Sequence, residues 1–262
     1  MTVAAVVAAA LREDLGERGD VTSALLVPAG LRARGRVVAR APGVLAGRRA
    51  AEEVLRQTGL AAVWRARDGD RLAAGSVVGE VHGPARALLA AERTLLNLLC
   101  RLSGVATLTA AYAEACAPVP VLDTRKTTPG MRALEKAAVR AGGGVNHRMG
   151  LFDRVLVKDN HLALAGAGLA DAVARARREL PGVVVEVEAD DLEGVRRAVA
   201  AGADWILLDN MDPPALRAAA AEAAGRARLE ASGGMTLERA RAAARCGVDA
   251  VSVGALTHSA PA

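Results

Sequence analysis

The chain has 262 residues, an apolar fraction of 52%, an aromatic fraction of only 2% and a formal net charge of +5. This length is enough for one large domain or two modest ones, and the composition excludes a disordered chain. Proteins that bind RNA or single-stranded DNA usually stack bases on aromatic side chains, so the basic charge favours a small anionic ligand and predicts no nucleic-acid partner.

The cysteines and the N-terminus indicate a cytoplasmic protein. Cys100, Cys116 and Cys246 are odd in number and lack the spacing of a metal site or a disulfide framework, so we expect reduced thiols. The N-terminal apolar run has no basic residues before it and meets Arg12 early, which predicts a helix rather than a signal peptide. No uncharged apolar run approaches the roughly 18 residues that span a bilayer, so no membrane association is expected.

The first part of the chain has the pattern of a mixed α and β unit. Helices are predicted at 3–13 and 48–58, strands at 34–44, 61–66 and 76–82, and a turn or cap at Asp20. Residues 85–115 have apolar positions at helical spacing, and Ser103-Gly104 is expected to interrupt this helix. We therefore place a domain boundary there, with one domain at 1–106 and a second at 107–257.

After Pro120 short strands alternate with helices. The predicted strands are 121–123, 144–146, 155–159, 183–188, 205–209, 228–232 and 250–254. Strands that alternate with helices through short loops predict a parallel sheet, and about seven such units predict an α/β barrel that is one unit short of the common eight. In such barrels the chemistry lies at the carboxyl ends of the strands.

The segment 123–161 has an unusual charge pattern. It carries eight Lys or Arg against four Asp or Glu, a net charge of +4, and contains all three lysines, Lys126, Lys136 and Lys158. An ammonium is a compact charge whose pKa shifts on burial, whereas a guanidinium stays charged, so lysine confined to one segment suggests a specific need. A solvated basic face is the simpler interpretation, but the pairing of charge with Gly, Asn and Thr favours a pocket.

Polar residues of both signs follow the predicted strands. The cationic group consists of Arg125, Lys126, His147, Arg148 and Lys158. Neighbouring arginines suit a dicarboxylate or a phosphorylated ligand, since guanidinium binds both in a bidentate manner. Lys136 lies inside a predicted helix, which favours a structural role.

The acidic group consists of Glu188 and Asp209, which are 21 residues apart and end successive strands. Such a pair beside a cationic pocket could hold Mg²⁺ with substrate phosphates, sugar hydroxyls or a developing cation. Glu186 could replace Glu188, but Glu188 is nearer the strand end, and a structural role is favoured for Glu230. The turn 232–234 precedes a helix that starts at Thr236, where backbone N–H groups can hold a phosphate.

Together these features suggest transfer that involves a phosphorylated sugar, and here the sequence resembles a known family. The runs REDLGERGDVTS, GPARALLAAERTLLNLLCRLSGVAT, DTRKTTPGMRALEKAAVRAGGGVNHRMGLFDRVLVKDNH, VEVEADD, ILLDN, EASGGM and SVGALTHSAP are similar to those of quinolinate phosphoribosyltransferases. The resemblance covers essentially the whole chain, and the combination of TRKTTPG, GGGVNHR and KDNH is highly specific.

The resemblance implies a fold and a reaction. It implies an N-terminal α/β sandwich domain, an incomplete seven-stranded α/β barrel, and a homodimer in which the sandwich domain of one subunit closes the barrel of the other. It implies that quinolinate and phosphoribosyl pyrophosphate react with Mg²⁺ to give nicotinate mononucleotide, pyrophosphate and CO₂. Family members continue beyond ALTHSAPA with a segment that adds a strand to the sandwich, so 258–262 is expected to be a shortened C-terminal tail.

The resemblance also implies roles for residues. Arg93, from the partner subunit, together with Arg125, His147, Arg148 and Lys158, would bind quinolinate. The phosphates would be held by Lys126, His258, Ser232, Gly233, Gly234 and Gly254. Glu188 and Asp209 would face the ribose and the metal. With these roles Lys126, Lys158, Glu188 and Asp209 are the candidate catalytic residues.

Two alternatives remain at this stage. One is a paralogue of the same fold that is associated with molybdenum transport, against which the combination of TRKT, NHR and KDNH argues. The other is a barrel without catalysis that senses a phosphorylated metabolite. The acidic pair Glu188 and Asp209 argues against a sensor, because sensing a phosphate requires no metal-facing carboxylates.

Overall fold

The structure is a computed structural model that describes all residues from 1 to 262. Its first elements are α1 (Val3–Leu15), α2 (Val21–Leu26), β1 (Arg32–Val38), β2 (Gly43–Val44), α3 (Arg48–Thr58), β3 (Ala61–Trp64), β4 (Arg71–Leu72), β5 (Val77–Pro84) and α4 (Ala85–Cys116). The chain continues with β6 (Val121–Leu122), α5 (Arg132–Ala141), β7 (Val155–Val157), α6 (Asp159–Ala165), α7 (Leu169–Glu179), β8 (Val185–Ala189), α8 (Leu192–Ala201), β9 (Trp205–Asp209), α9 (Pro213–Ala223), β10 (Arg228–Ser232), α10 (Leu237–Ala243), β11 (Ala250–Ser252) and α11 (Ala255–His258).

The chain folds as two compact units, each assembled from separate stretches. Unit 1 consists of Met1–Ala110, Thr127–Gly143 and Leu256–Ala262. Unit 2 consists of Ala111–Lys126 and Gly144–Ala255. The boundary after residue 106 and the extent of the C-terminal tail stay predictions from the sequence.

Unit 1 combines small antiparallel sheets with helices. Three strands pair in the order β1-β5-β3, and β2 pairs with β4. The residues of β1 are alternately half-buried and exposed, as expected for a strand with one covered face. The helix α3 buries Ala50, Ala51, Val54 and Leu55 on one side and ends at Gly59, whose φ of 70° is the left-handed conformation that favours glycine.

The helix α4 runs without interruption from Ala85 to Cys116, so the predicted break at Ser103-Gly104 is wrong. Both residues serve packing within unit 1. Ser103 Oγ accepts a hydrogen bond from the N–H of Ala46 at 3.0 Å. Gly104 allows the C-terminal residues to approach, since a Cβ there would lie 1.7 Å from the carbonyl oxygen of Pro261. A glycine inside a helix therefore marks a close contact here rather than an end.

A buried ion pair ties the C-terminal residues to the rest of unit 1. Arg101 Nη2 donates to Glu135 Oε1 at 2.8 Å, and the same guanidinium donates to the carbonyl oxygens of Ala260, at 2.8 Å, and Thr257. Glu135 also accepts from the N–H and hydroxyl of Thr128. One completely buried carboxylate thus joins α4, α5 and the loop before α5.

Unit 2 is built on a parallel sheet of six strands in the order β6-β11-β10-β9-β8-β7. The central strands read VEVEA, WILLD and RLEAS, and most of their residues are buried, as in a sheet covered by helices. The helices that follow β8, β9 and β10 begin where the side chains of Asp191, Asp212 and Thr236 accept a backbone N–H. These caps fix where the loops after β8, β9 and β10 end.

The predicted strand 144–146 is reduced to a single bridge. Val145 pairs in parallel with Leu122 of β6, and no strand forms around it. Glycines at 142–144 precede Val145, and glycine is unfavourable in β-strands. The bridge still places residues 146–148 at the carboxyl end of β6. The predicted fold class, an N-terminal sheet domain followed by a parallel α/β domain, is confirmed.

By length and composition α4 is apolar enough to cross a membrane, but half of its most apolar stretch is buried inside the protein. Such a burial pattern is also that of the core helix of a globular protein.

Candidate active site

Asp123 organises the first strand end of unit 2. It is completely buried directly after β6. Its carboxylate accepts a hydrogen bond from Asn146 Nδ2 at 2.5 Å and from the backbone N–H of His147 at 2.9 Å. These bonds hold the GGGVNHR loop against β6 in place of a regular strand. No role was predicted for Asp123 from the sequence, because a hydrogen bond between two loops leaves no periodic signal.

His147 lies in a buried cluster of charged side chains. Its Nε2 is 3.1 Å from Glu186 Oε2 and 3.1 Å from Glu230 Oε2. Arg154 Nη1 lies 3.2 Å from the same oxygen of Glu186. Glu186 and Glu230 come from β8 and β10, which are separated by β9, so the sheet must curve for them to meet. Layers of side chains from alternate strands are the interior packing of α/β barrels.

The two ring nitrogens of His147 have different partners. Nδ1 accepts a hydrogen bond of 2.7 Å from the N–H of Arg148, so Nε2 carries the hydrogen that faces the carboxylates. Burial of the ring opposes its charging, but the hydrogen bonds and negative charges of Glu186 and Glu230 raise the pKa of His147 to about 9. The bond from Arg148 acts in the opposite direction, since protonation of Nδ1 would break it.

The pKa values of the two carboxylates of this cluster are shifted in opposite directions. Burial opposes ionisation of Glu186, but His147 and Arg154 outweigh it and lower the pKa of Glu186 below its ordinary value. Burial is the largest influence on Glu230, and with the nearby charge of Glu186 it raises the pKa of Glu230. Ligand atoms of His147, Glu186 and Glu230 lie within 4.8 Å of one another, as metal ligands do. Both carboxylates are completely buried and Arg154 pairs with Glu186, so we assign no metal to this cluster.

The predicted arginines of the rim come together. Burial lowers the pKa of Arg148, and the positive charge of Arg125 lowers it further. Arg154, which the sequence interpretation did not select, adds to the same effect and stacks over the ring of Trp205 at 5.5 Å. Its position before β7 rather than after a strand explains why the strand-end rule missed it. Clustered guanidinium groups favour an anionic ligand.

Lys158 and Glu188 form an ion pair between neighbouring strand ends. Lys158 directly precedes α6, and Glu188 lies in β8 with about a quarter of its side chain exposed. Glu186 on the same strand is completely buried, so Glu188 is the carboxylate of this strand that a ligand can reach. A cavity of about 420 Å³ beside the pair is lined also by Gly168 and Arg197.

Asp209 and the glycine turn occupy the next two strand ends. Asp209 pairs in register with Ser232, so the acidic group and the turn 232–234 are adjacent. Gly233 has a φ of 92°, and a Cβ there would lie 2.3 Å from Asn210 Oδ1, so only glycine fits. The turn leads to α10, where the side chain of Thr236 accepts a hydrogen bond from the backbone N–H of Arg239.

The remaining predicted residues are distributed between the units. Gly254 follows β11 in unit 2, and Lys126 lies in the loop after β6 of the same unit. Arg93 and His258 belong to unit 1. Arg93 is exposed on α4 and lines a cavity of about 350 Å³ together with Glu13, Asp14 and Arg101. His258 ends α11, with its Nδ1 2.7 Å from the hydroxyl of Ser259.

Comparisons with known proteins agree with this arrangement. Residues 20–103 match the N-terminal domain of quinolinate phosphoribosyl transferase, and residues 105–262 match its C-terminal domain. The nicotinate-nucleotide pyrophosphorylase [carboxylating] of Mycobacterium leprae is 46% identical over 259 residues, which covers 95% of this chain and 91% of that protein. The probable nicotinate-nucleotide pyrophosphorylase [carboxylating] of Bacillus subtilis is 44% identical, covering 94% of this chain and 86% of the relative.

A solved structure extends the agreement to the fold. The crystal structure of NadC from Streptococcus pyogenes superposes with a TM-score of 0.93 at 40% identity, covering 99% of this chain and 93% of that one. Both domains, the sequence over nearly its full length and the three-dimensional fold lead to one assignment. The chain belongs to the quinolinate phosphoribosyltransferase family.

Proposed function

We propose that this protein transfers a phosphoribosyl group from 5-phosphoribosyl 1-pyrophosphate to quinolinate, with loss of CO₂, to give nicotinate mononucleotide and pyrophosphate in de novo NAD biosynthesis. It is a pentosyltransferase, a carboxylating nicotinate-nucleotide diphosphorylase. The observation that supports this most directly is that one family-matched unit holds half-buried arginines, an acidic strand end and a glycine turn.

Quinolinate would bind to the cationic side of the unit. It carries two carboxylates beside a pyridine nitrogen, and Arg125 and Arg148, whose charges influence each other, would bind this dianion. Lys158 would approach the ring from the next strand end. His147 would hold Arg148 in position at the edge of this pocket, because His147 Nδ1 accepts a hydrogen bond from the backbone N–H of Arg148.

Phosphoribosyl pyrophosphate would bind to the other side. Backbone N–H groups of Ser232, Gly233 and Gly234 would hold a phosphate, as glycine turns before helices do. Further phosphate contacts are proposed for Lys126, Gly254 and His258. The ribose would face Glu188 and Asp209, which lie at the ends of the paired strands β8 and β9.

Mg²⁺ is the cofactor that we expect, and the donor atoms at the rim fit it. Glu188 and Asp209 offer carboxylate oxygens, the ligands that Mg²⁺ prefers, at partly exposed positions where substrate phosphates can complete the coordination. Lys158 already pairs with Glu188, so the ammonium would have to move toward a substrate anion when the metal binds. Bound Mg²⁺ would neutralise charge on the pyrophosphate leaving group.

The side chains then have distinct tasks in the reaction. The C–O bond between the ribose and pyrophosphate breaks, which leaves positive charge on the anomeric carbon that Glu188 and Asp209 stabilise electrostatically. The pyridine nitrogen, held in line by the arginines, forms the new C–N bond. The positive ring then loses the adjacent carboxylate as CO₂, and a proton takes its place on the ring carbon.

We further propose a cytoplasmic homodimer in which Arg93 of one subunit reaches the quinolinate of the other. Arg93 is exposed on α4 in unit 1, where it is available to a second chain.

A direct assay tests the proposal. Purified protein is mixed with quinolinate, phosphoribosyl pyrophosphate and Mg²⁺, and nicotinate mononucleotide and CO₂ are followed over time. We expect both products in equal amounts, with loss of activity when the metal is chelated. Turnover of nicotinate in place of quinolinate, without release of CO₂, would reject the assignment and favour a different base.

A further inference from the structure

Asn210 has a positive φ, which is unusual for a residue that directly follows a strand. Asn210 and Ala224 are the two residues other than glycine with positive φ, at 56° and 47°. Ala224 ends α9, and left-handed residues are common after helices. Asn210 instead follows a strand, at the carboxyl end of β9. Such conformations cost free energy and persist where the surroundings hold them, often at functional sites.

The surroundings of Asn210 are parts of the proposed phosphoribosyl site. Its backbone N–H donates to the carbonyl oxygen of Ser232 at 2.9 Å. Its side-chain Nδ2 donates to Asp209 Oδ2 at 3.0 Å. Its side-chain oxygen lies against Gly233, where a Cβ would come within 2.3 Å. One residue therefore contacts both the acidic strand end and the glycine turn.

We propose that Asn210 is a positioning residue, which sets the orientation of the Asp209 carboxylate relative to the turn of Ser232, Gly233 and Gly234. This inference rests on the proposed function, because it assumes that Asp209 faces the ribose and that the turn holds a phosphate. In this left-handed conformation the side-chain amide of Asn210 donates its hydrogen bond to the carboxylate of Asp209. Asparagine tolerates this conformation better than most residues and carries the required donor.

A purely structural explanation predicts a different outcome of substitution. If Asn210 serves only to form a turn after β9, glycine should replace it fully, because glycine adopts positive φ without strain. If its amide positions Asp209, glycine should preserve the fold and impair the reaction. Asn210→Gly therefore separates the two explanations.

The experiment compares three variants in steady-state assays with each substrate varied in turn. We expect Asn210→Gly to raise the KM for phosphoribosyl pyrophosphate about tenfold, since small displacements of positioned groups are costly. The KM for quinolinate should change much less, and the thermal unfolding midpoint should not fall. Asn210→Asp should be worse than glycine, because it removes the donor and places a second carboxylate beside Asp209.

Ala224→Gly is the matched control, since it relieves the same conformation in a residue at the C-terminus of α9. It should leave both KM values unchanged. A wild-type KM for phosphoribosyl pyrophosphate in Asn210→Gly would overturn the inference, and so would a loss of activity that merely parallels a lower unfolding midpoint. The proposed function fails separately, if the wild-type protein forms no nicotinate mononucleotide or if Asp209→Asn keeps full activity.

Discussion

His147 illustrates how strongly one buried side chain depends on its partners. Its ring is held on one side by the backbone of Arg148 and on the other by two carboxylates. Burial opposes ionisation of both carboxylates, but His147 and Arg154 lower the pKa of Glu186, whereas burial raises the pKa of Glu230. The two carboxylates therefore contribute differently to stability, although their geometry toward His147 is alike.

This difference can be measured by substitution with the neutral isostere. Glu186→Gln removes the charge that compensates Arg154, and leaving a buried charge unpaired typically costs about 3 kcal/mol or more. Glu230→Gln should cost less, because burial already opposes the charged form of Glu230. Urea unfolding near pH 6 compares the two free energies of unfolding. Equal losses in both variants would contradict the assignment of charge.

The raised pKa of His147 predicts a pH dependence of stability. A group whose pKa rises from 6.5 in the unfolded chain to about 9 in the folded protein stabilises the fold fully below pH 6.5 and loses this effect as the pH rises through 9. Thermal unfolding midpoints of the wild type should therefore fall more between about pH 6 and pH 9.5 than those of His147→Gln. An identical fall in both proteins would mean that His147 does not titrate as described.

At the scale of elements, α4 makes contacts with the C-terminal residues that the sequence does not reveal. Gly104 and Arg101 both serve the C-terminal residues, one by allowing Pro261 to approach and the other by donating to Ala260 and Thr257. A helical pattern shows which face is apolar, but not that a distant segment lies against a particular glycine.

The contact at Gly104 reverses a common substitution effect. Glycine to alanine inside a helix normally stabilises by about 0.5–1 kcal/mol. Here the added Cβ would lie 1.7 Å from the carbonyl oxygen of Pro261, so we expect Gly104→Ala to lower the thermal unfolding midpoint. In a protein shortened to residue 258 the same substitution should become neutral or stabilising. A loss of stability of equal size in both backgrounds would place its cause elsewhere.

On the scale of the whole molecule, the proposed sharing of sites between subunits predicts complementation between two inactive variants. Arg93→Ala and Lys126→Ala should each be inactive, for different reasons. If Arg93 acts across the dimer, a mixed dimer contains one intact site, and an equal mixture of random dimers should regain about a quarter of the wild-type activity. Dissociation and refolding of the mixture, followed by the turnover assay, measures this. No recovery in mixtures that demonstrably contain mixed dimers would show that each site uses its own Arg93.

Much of this organisation could be predicted from the sequence, for physical reasons. Buried strands such as WILLD and helices such as α3 have local patterns, and the strand-end rule then selected Lys158, Glu188 and Asp209 as neighbours. Prediction failed where long-range contacts decide. Val145 forms a bridge rather than a strand. Arg154 joins the His147 cluster from the amino end of β7, where the strand-end rule does not look. Interior contacts between alternate strands leave no trace in a linear pattern.

The composition of unit 1 has a consequence for how the protein is made. Its α5 follows soon after α4, but its last seven residues are synthesised much later, and Arg101 cannot meet Ala260 until they exist. Most of unit 2 is made between them. Unit 1 therefore cannot reach its final packing before residues 256–262 have been synthesised, although domains often fold from the N-terminus onward. A nascent chain arrested before residue 256 should expose the part of α4 around Gly104 to proteases that the finished protein resists.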